Sequence, residues 1–141
     1  MKDLFPEGLT THGYKYLLER HMYSQNAFIS VSPMIEIIFE LVRRADFADC
    51  PSRFTSLFAA ETLERARKFR SQHGKPQNRI LKVSCSNSFK ADMRLLVLGA
   101  SNASSLNLAR KYWRGESSQN PLWENLLIPP VTVIEQIEPA A

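Results

Sequence analysis

Two short stretches of the sequence carry the side chains best suited to chemistry. They are Arg53, Thr55, Ser56 and Phe58 in the first stretch, and Trp123 and Glu124 in the second. A carboxylate such as Glu124 can stabilise the positive charge that develops on a sugar when its glycosidic bond breaks. An arginine such as Arg53 can bind a pyrophosphate through paired hydrogen bonds. Plain structural explanations also exist: Thr55 and Ser56 as strand hydroxyls, Arg53 as a surface or salt-bridged arginine, and Glu124 as a surface carboxylate at a strand end.

The order of these pieces resembles the ADP-ribosyltransferase-like families, including their small bacterial and phage branches and the NAD-degrading toxin domains. The resemblance covers residues 51–137. It includes a strand with hydroxyl and aromatic residues, a helix with Ala66 and Phe69, the strand 79–85, and Glu124 at the start of an apolar strand.

This resemblance implies an α+β fold that uses NAD as its substrate, with Glu124 as the catalytic carboxylate. The NAD-binding residues that it implies are Arg53, Thr55, Ser56, Phe58 and Trp123. The protein would then modify a macromolecular target, either a protein or a nucleic acid, or hydrolyse NAD, as a bacterial or phage effector or toxin does.

Two features of the families' pattern are absent from this sequence. The early histidine or arginine that contacts NAD has no clear counterpart. The candidates are His12, Arg20 and His21, each of which also fits a helix surface. Leu122 stands two residues before Glu124, where a paired acidic residue is expected. Transfer to arginine acceptors is therefore disfavoured. The alternative is a non-catalytic module of the same fold that binds a protein or nucleic-acid partner.

Hydrophobic periodicity and cap residues predict the elements that position these side chains. Ser32 followed by Pro33 predicts a helix start, because a hydroxyl cap and a proline at the first helical position favour one. The predicted helices span residues 11–21, 33–44 and 60–70, and a further helix capped by Ser104 or Ser105 runs to about residue 112. The predicted strands or extended segments span 26–31, 53–59, 79–85, 89–95, 124–128 and 131–137. This order predicts a single α+β domain over residues 1–141, with a helical N-terminal half and a mostly antiparallel sheet that contains both 79–85 and 124–137.

A run of basic residues lies on the predicted helix 60–70 and the turn after it. It consists of Arg65, Arg67, Lys68, Arg70 and Lys75. Such a run can contact phosphates, or it can be a solvated helix face. Tyr112 and Trp113 likewise have two explanations, since aromatic rings can stack on bases or pack in a core.

Composition and charge limit the class of protein. The 141 residues are 44% hydrophobic and 23% charged, which is typical of a globular domain, and the net charge of +4 suits an anionic ligand or partner. Cys50 and Cys85 lack neighbours at zinc-ligand spacing, so we expect unbonded thiols and no metal site. The absence of a signal peptide, of a membrane-spanning apolar run and of a glycine-rich phosphate loop predicts a cytoplasmic protein, outside the membrane and without a dinucleotide-binding fold.

Overall fold

The computed structural model describes residues 3–19 and 31–138. The helices in these ranges are α1 (Thr11–Leu17), α2 (Ser32–Asp46), α3 (Leu63–His73) and α4 (Asn102–Trp113). The strands are β1 (Leu57–Ala59), β2 (Ile80–Cys85), β3 (Ser88–Asp92), β4 (Trp123–Leu127) and β5 (Val131–Glu138), and a single 3₁₀ turn, Met93–Leu95, follows β3. The predicted α+β class with antiparallel pairing is confirmed.

Short-range signals explain where the helices begin. In α4, the Ser101 hydroxyl accepts a hydrogen bond from the Ser104 backbone at 3.1 Å, and the Ser104 hydroxyl accepts one from the Ser101 backbone at 2.8 Å. This capping box makes Ser101 the cap, so the helix begins ahead of both predicted caps, Ser104 and Ser105. Thr62 caps α3 in the same way, by accepting from the backbone of Arg65.

The strands form two antiparallel sheets. The first has the order β1-β4-β3, and the second contains β2 and β5. The prediction of one shared sheet is therefore correct for β2 with β5 and wrong for residues 124–127, which pair with β1 and β3. The chain leaves one sheet for the other at residues 86–87 and 128–130, where the Ile128 backbone donates to the Asn87 carbonyl at 3.1 Å. The two sheets are thus two halves of one bent ribbon. We call β1-β4-β3 the inner sheet and β2-β5 the outer sheet.

The hydrophobic core lies between α2, α4 and the inner sheet. Its largest fully buried side chains include Phe39, Tyr112, Trp113 and Leu126. The indole of Trp113 donates to the backbone carbonyl of Phe39 at 2.8 Å, which fixes α4 against α2. Tyr112 and Trp113 are therefore core residues, and stacking on a base is excluded for both.

Helix α3 lies against the outer sheet, and few side chains are buried there. Neither α3 nor β5 contains a buried residue. Arg67 and Arg70 of α3 both form ion pairs with Glu138 at the end of β5. Charge pairing, more than apolar packing, therefore joins α3 to this sheet.

Several predicted boundaries differ from the structure. The strand predicted over 53–59 is regular only from Leu57, because residues 52–56 form a buried turn. The helix predicted over 60–70 begins at Leu63, Ser32 is already helical rather than a cap, and the segment 89–95 becomes a 3₁₀ turn after Asp92. The extended segment predicted over 26–31 lies almost wholly outside the described residues, as do Arg20 and His21.

Two further observations concern the whole described chain. Cys50 and Cys85 are both free, as predicted. Within residues 3–19 and 31–138, no helix has the length and apolar character needed to cross a membrane.

Candidate functional site

A turn between α2 and β1 places Arg53 inside the protein. The Ser52 carbonyl accepts hydrogen bonds from the hydroxyls of Ser56, at 2.7 Å, and Thr55, at 3.3 Å. The Ser52 hydroxyl in turn donates to the buried carboxylate of Glu40 at 2.8 Å. These bonds fold residues 52–56 tightly, so that the side chain of Arg53 is only 4% exposed.

The guanidinium of Arg53 donates hydrogen bonds to two carboxylates and to one phenol hydroxyl. Its Nε and Nη2 donate to the two oxygens of Glu36 at 2.8 and 3.1 Å, a bidentate pair. Its Nη1 donates to the Tyr112 hydroxyl at 2.6 Å and to Oε1 of Glu124. Four of the five guanidinium hydrogens are thereby used, which leaves no pair of donors free for a ligand. We call Glu36, Arg53, Tyr112 and Glu124 the arginine cluster.

Glu124 enters the cluster from the inner sheet. The side chains of Glu124 and Leu126 lie on the same face of β4, since strand side chains alternate. The Tyr112 hydroxyl donates to Oε1 of Glu124 at 2.7 Å. Burial raises the pKa of Tyr112 well above its usual value, so this group stays a neutral donor. The carboxylate of Glu124 is 6% exposed and held from two directions.

Glu36 is the second carboxylate of the cluster and comes from α2. Burial alone would raise the pKa of Glu36, but His12 and Arg53 outweigh burial and lower it to about 2. Nε2 of His12 lies 3.1 Å from Oε1 of Glu36, yet it has no hydrogen-bond partner with good geometry. Since its pKa lies far below 7, Glu36 is anionic at neutral pH.

Phe58 connects His12 with Arg53. Its ring centroid lies 4.6 Å from that of His12 and 4.8 Å from Cζ of Arg53. His12 also packs against Tyr16 at 4.6 Å between centroids. Of the three candidates for the early NAD-contacting residue, His12 is thus the one that the described structure brings to the cluster.

A groove runs along the cluster. It has a volume of about 1470 Å³ and is lined by parts of α1, α2, β1, α3, β2 and β4. His12, Glu36, Arg53, Phe58 and Glu124 contribute to its inner wall. One guanidinium faces two carboxylates, so the arginine cluster has a formal charge of −1 at this wall.

The structure brings together three of the six residues predicted as a site, namely Arg53, Phe58 and Glu124. Thr55 and Ser56 are buried, do not line the groove, and use their hydroxyls within the turn. Trp123 lines the groove, but it lies on the opposite face of β4 from Glu124, where Lys90 is 5.0 Å from its ring centroid.

Sequence reasoning missed Glu36 and Tyr112. A signal for Glu36 was present, because two glutamates, Glu36 and Glu40, interrupt the apolar stripe of α2 at helical spacing. Both are buried, and each pairs with arginine: Glu36 with Arg53, and Glu40 with Arg43 and Arg44. Acidic residues inside an apolar stripe predict buried partners of opposite charge.

Asp92 fixes the point at which β4 begins. It is fully buried, and its carboxylate accepts the backbone N–H groups of Arg94, Ser118 and Leu122 at 3.0, 2.7 and 2.8 Å. Burial would raise the pKa of Asp92, but these hydrogen bonds lower it below its usual value. The chain therefore enters β4 with Glu124 two residues after a pinned backbone position.

Metal ligation finds no support in the described part of the chain. No group of three His, Cys, Asp or Glu side chains lies close enough there to hold an ion.

The fold and site define a class: small α+β proteins in which a buried arginine joins two carboxylates at the wall of a groove. The chain belongs to the DUF2441 family, described as a protein of unknown function, which matches residues 9–139. The matched range includes His12 and all four members of the arginine cluster. No curated protein matches the sequence.

Proposed function

We propose that the protein is an ADP-ribosyltransferase-like enzyme that cleaves NAD and transfers ADP-ribose to a macromolecule or to water. The observation that carries the proposal is the uncompensated negative charge of the arginine cluster at the groove wall. Cleavage of the bond between nicotinamide and ribose leaves the bonding electrons on nicotinamide and a positive charge on the sugar. A preorganised carboxylate beside that sugar lowers the barrier.

Glu124 is the carboxylate that we assign to this step. Tyr112 and Arg53 hold its Oε1, so its orientation is fixed before a substrate arrives. Since the single guanidinium of Arg53 pairs with both carboxylates, one negative charge of the cluster stays uncompensated and can act on the sugar. We assign Arg53 to positioning Glu124 rather than to binding pyrophosphate, because its donors are occupied by protein acceptors.

A ring beside the cluster supports a site for a flat, cationic group. Phe58 lines the groove and contacts both His12 and Arg53. Nicotinamide in NAD is aromatic and positively charged, and a phenylalanine face together with a negative cluster suits such a group. NAD is the substrate in this proposal, and no metal is required.

A non-catalytic binding module is the second candidate. The observation that favours it is the burial of Glu124, whose contacts with Arg53 and Tyr112 are also those of a structural ion pair. In that case the groove would hold a protein or nucleic-acid partner and NAD would not be cleaved.

Replacement of one carboxylate tests the enzyme proposal. Glu124→Gln keeps an oxygen that accepts from Arg53 and Tyr112 but removes the charge, so we expect folding to survive. Loss of one preorganised electrostatic contact costs about 100- to 1000-fold in kcat with little change in KM. Nicotinamide release from NAD is followed with and without acceptors, after equal melting temperatures have been verified.

The matched control is Glu116→Gln, which removes an exposed carboxylate that pairs loosely with Arg114 at 3.6 Å. This variant should keep wild-type turnover. Equal activity of the Glu124→Gln and wild-type proteins would remove Glu124 from the mechanism. No nicotinamide release by the wild type with any acceptor would favour the binding module.

A further inference from the structure

The excess positive charge of the protein is concentrated in one segment. Residues 61–85, which include α3 and β2, contain seven basic and two acidic residues, a net charge of +5, whereas the whole chain carries +4. The remaining residues are therefore close to neutral. Residues of this segment line the same groove as the arginine cluster, and we call their part of the lining the α3 and β2 wall.

Part of this charge has no acidic partner among the residues that the structure describes. Arg65 pairs with Glu61, while Arg67 and Arg70 share Glu138. Lys68 and Arg79 both line the groove and are exposed, and neither makes an ion pair or side-chain hydrogen bond within the described part of the chain. Two cations on one wall are thus available to an anionic ligand.

An exposed aromatic ring lines the same groove as these cations. Phe69 of α3 lines the groove and is 45% exposed, and its ring centroid is 4.9 Å from that of His73. Arg65, Phe69 and His73 recur at four-residue spacing, so they share one face of the helix. The core does not use this ring, since no residue of α3 is buried.

We propose that the α3 and β2 wall of the groove binds single-stranded nucleic acid, with Lys68 and Arg79 on phosphates and Phe69 stacked on a base. Cations that follow a backbone together with an aromatic platform form the general recognition mode for single strands. A duplex hides its base faces inside the stack, and an acidic peptide has no flat ring to place on Phe69. The role of the bound strand as the acceptor of ADP-ribose rests on the proposed function, but strand binding itself does not.

Binding is measured without NAD, by fluorescence anisotropy of a labelled 12-nucleotide single strand of mixed sequence, as RNA and as DNA, over a range of salt concentrations. Combined Lys68→Gln and Arg79→Gln substitutions should reduce the salt slope by about 1.4, or 0.7 for each lost phosphate contact. Phe69→Leu should weaken binding about 5- to 150-fold, the range for one lost base stack, and Phe69→Trp should restore it.

The matched control combines Arg94→Gln and Lys111→Gln, which remove the same charge from outside the groove and should leave affinity and slope nearly unchanged. Equal weakening by the control would overturn the proposal, because it would show attraction to net charge alone. Equal competition by duplex or by polyglutamate would also overturn it. Since nicotinamide release is measured without a strand, failure of strand binding and failure of NAD cleavage are separate results.

Discussion

Removal of the guanidinium at the centre of the arginine cluster is the most demanding perturbation that the structure suggests. Arg53→Met keeps much of the side-chain volume but removes the guanidinium that pairs with both Glu36 and Glu124, which are 7% and 6% exposed. Deletion of one partner of a buried ion pair costs about 3–5 kcal/mol. Here one substitution leaves two carboxylates without their guanidinium partner, so we expect a loss of unfolding free energy at the upper end of that range.

A second substitution distinguishes destabilisation by an unpaired buried charge from destabilisation by lost packing. In the double variant Arg53→Met with Glu124→Gln, one of the two buried charges is gone. The double variant should therefore be more stable than Arg53→Met alone, with a coupling energy between about 0.5 and 3 kcal/mol. If the loss came only from packing, the second substitution would not restore stability.

Urea unfolding at neutral pH, with fitted midpoints and slopes, measures these free energies. Arg65→Met is the matched control, because its ion pair with Glu61 is exposed and should contribute no more than about 0.5 kcal/mol. A loss below about 1 kcal/mol for Arg53→Met, or a double variant no more stable than the single one, would refute the view that the cluster is held together by charge.

Two further predictions concern acid stability and the approach of α1. The pKa of Glu36 is lowered from 4.5 to about 2 in the fold, so its contribution of about 3 kcal/mol is present above pH 4.5 and is lost as the pH falls towards 2. Glu36→Gln should flatten this part of the urea-midpoint profile, and an unchanged profile would contradict the assigned pKa. In Gly13→Ala the added Cβ would overlap the backbone carbonyl of Phe54, so calorimetry should show a loss of about 1–3 kcal/mol. Tyr14→Ala, at an exposed position of the same helix, should change stability by less than about 0.5 kcal/mol, and equal losses would argue against a close approach at Gly13.

Local signals allowed much of the fold to be predicted, and they also explain the errors. Pro33 marks the start of α2 because its constraint acts within one turn. The predicted start of α4 is too late because several serines lie close together there, and the sequence alone does not show which of them is the cap. The sequence 53–59 reads as a strand by residue type, yet the hydroxyl bonds to Ser52 fold its first half into a turn.

Half of the candidate site could be predicted from the sequence, whereas the other half depends on pairing between residues that are far apart in the chain. The chemistry of Arg53 and Glu124 predicts a site, but Arg53 reaches Glu36 and Glu124 across sequence separations of 17 and 71 residues. A glutamate on a helix is usually exposed, so burial of Glu36 depends on an arginine that approaches from another element. The sheet assignment is wrong for residues 124–127 for a related reason: alternation identifies strands but does not show where a ribbon bends.

The contacts of Asp92 have a consequence for insertions and deletions. The loop between α4 and β4 consists of residues 114–117, which Asp92 does not contact, and a part pinned by Asp92 at Ser118 and Leu122. The N–H groups of 114–116 donate back to α4, so residues are best added between 116 and 118. Insertion there costs little, since doubling a loop's length raises its closure cost by only about 0.6 kcal/mol. One added residue after the pinned position would instead slide β4 by one place and put Trp123 where Glu124 now meets Arg53, with every side chain of the strand turned to the opposite face. Length variation compatible with the arginine cluster is therefore confined to the few residues before Ser118.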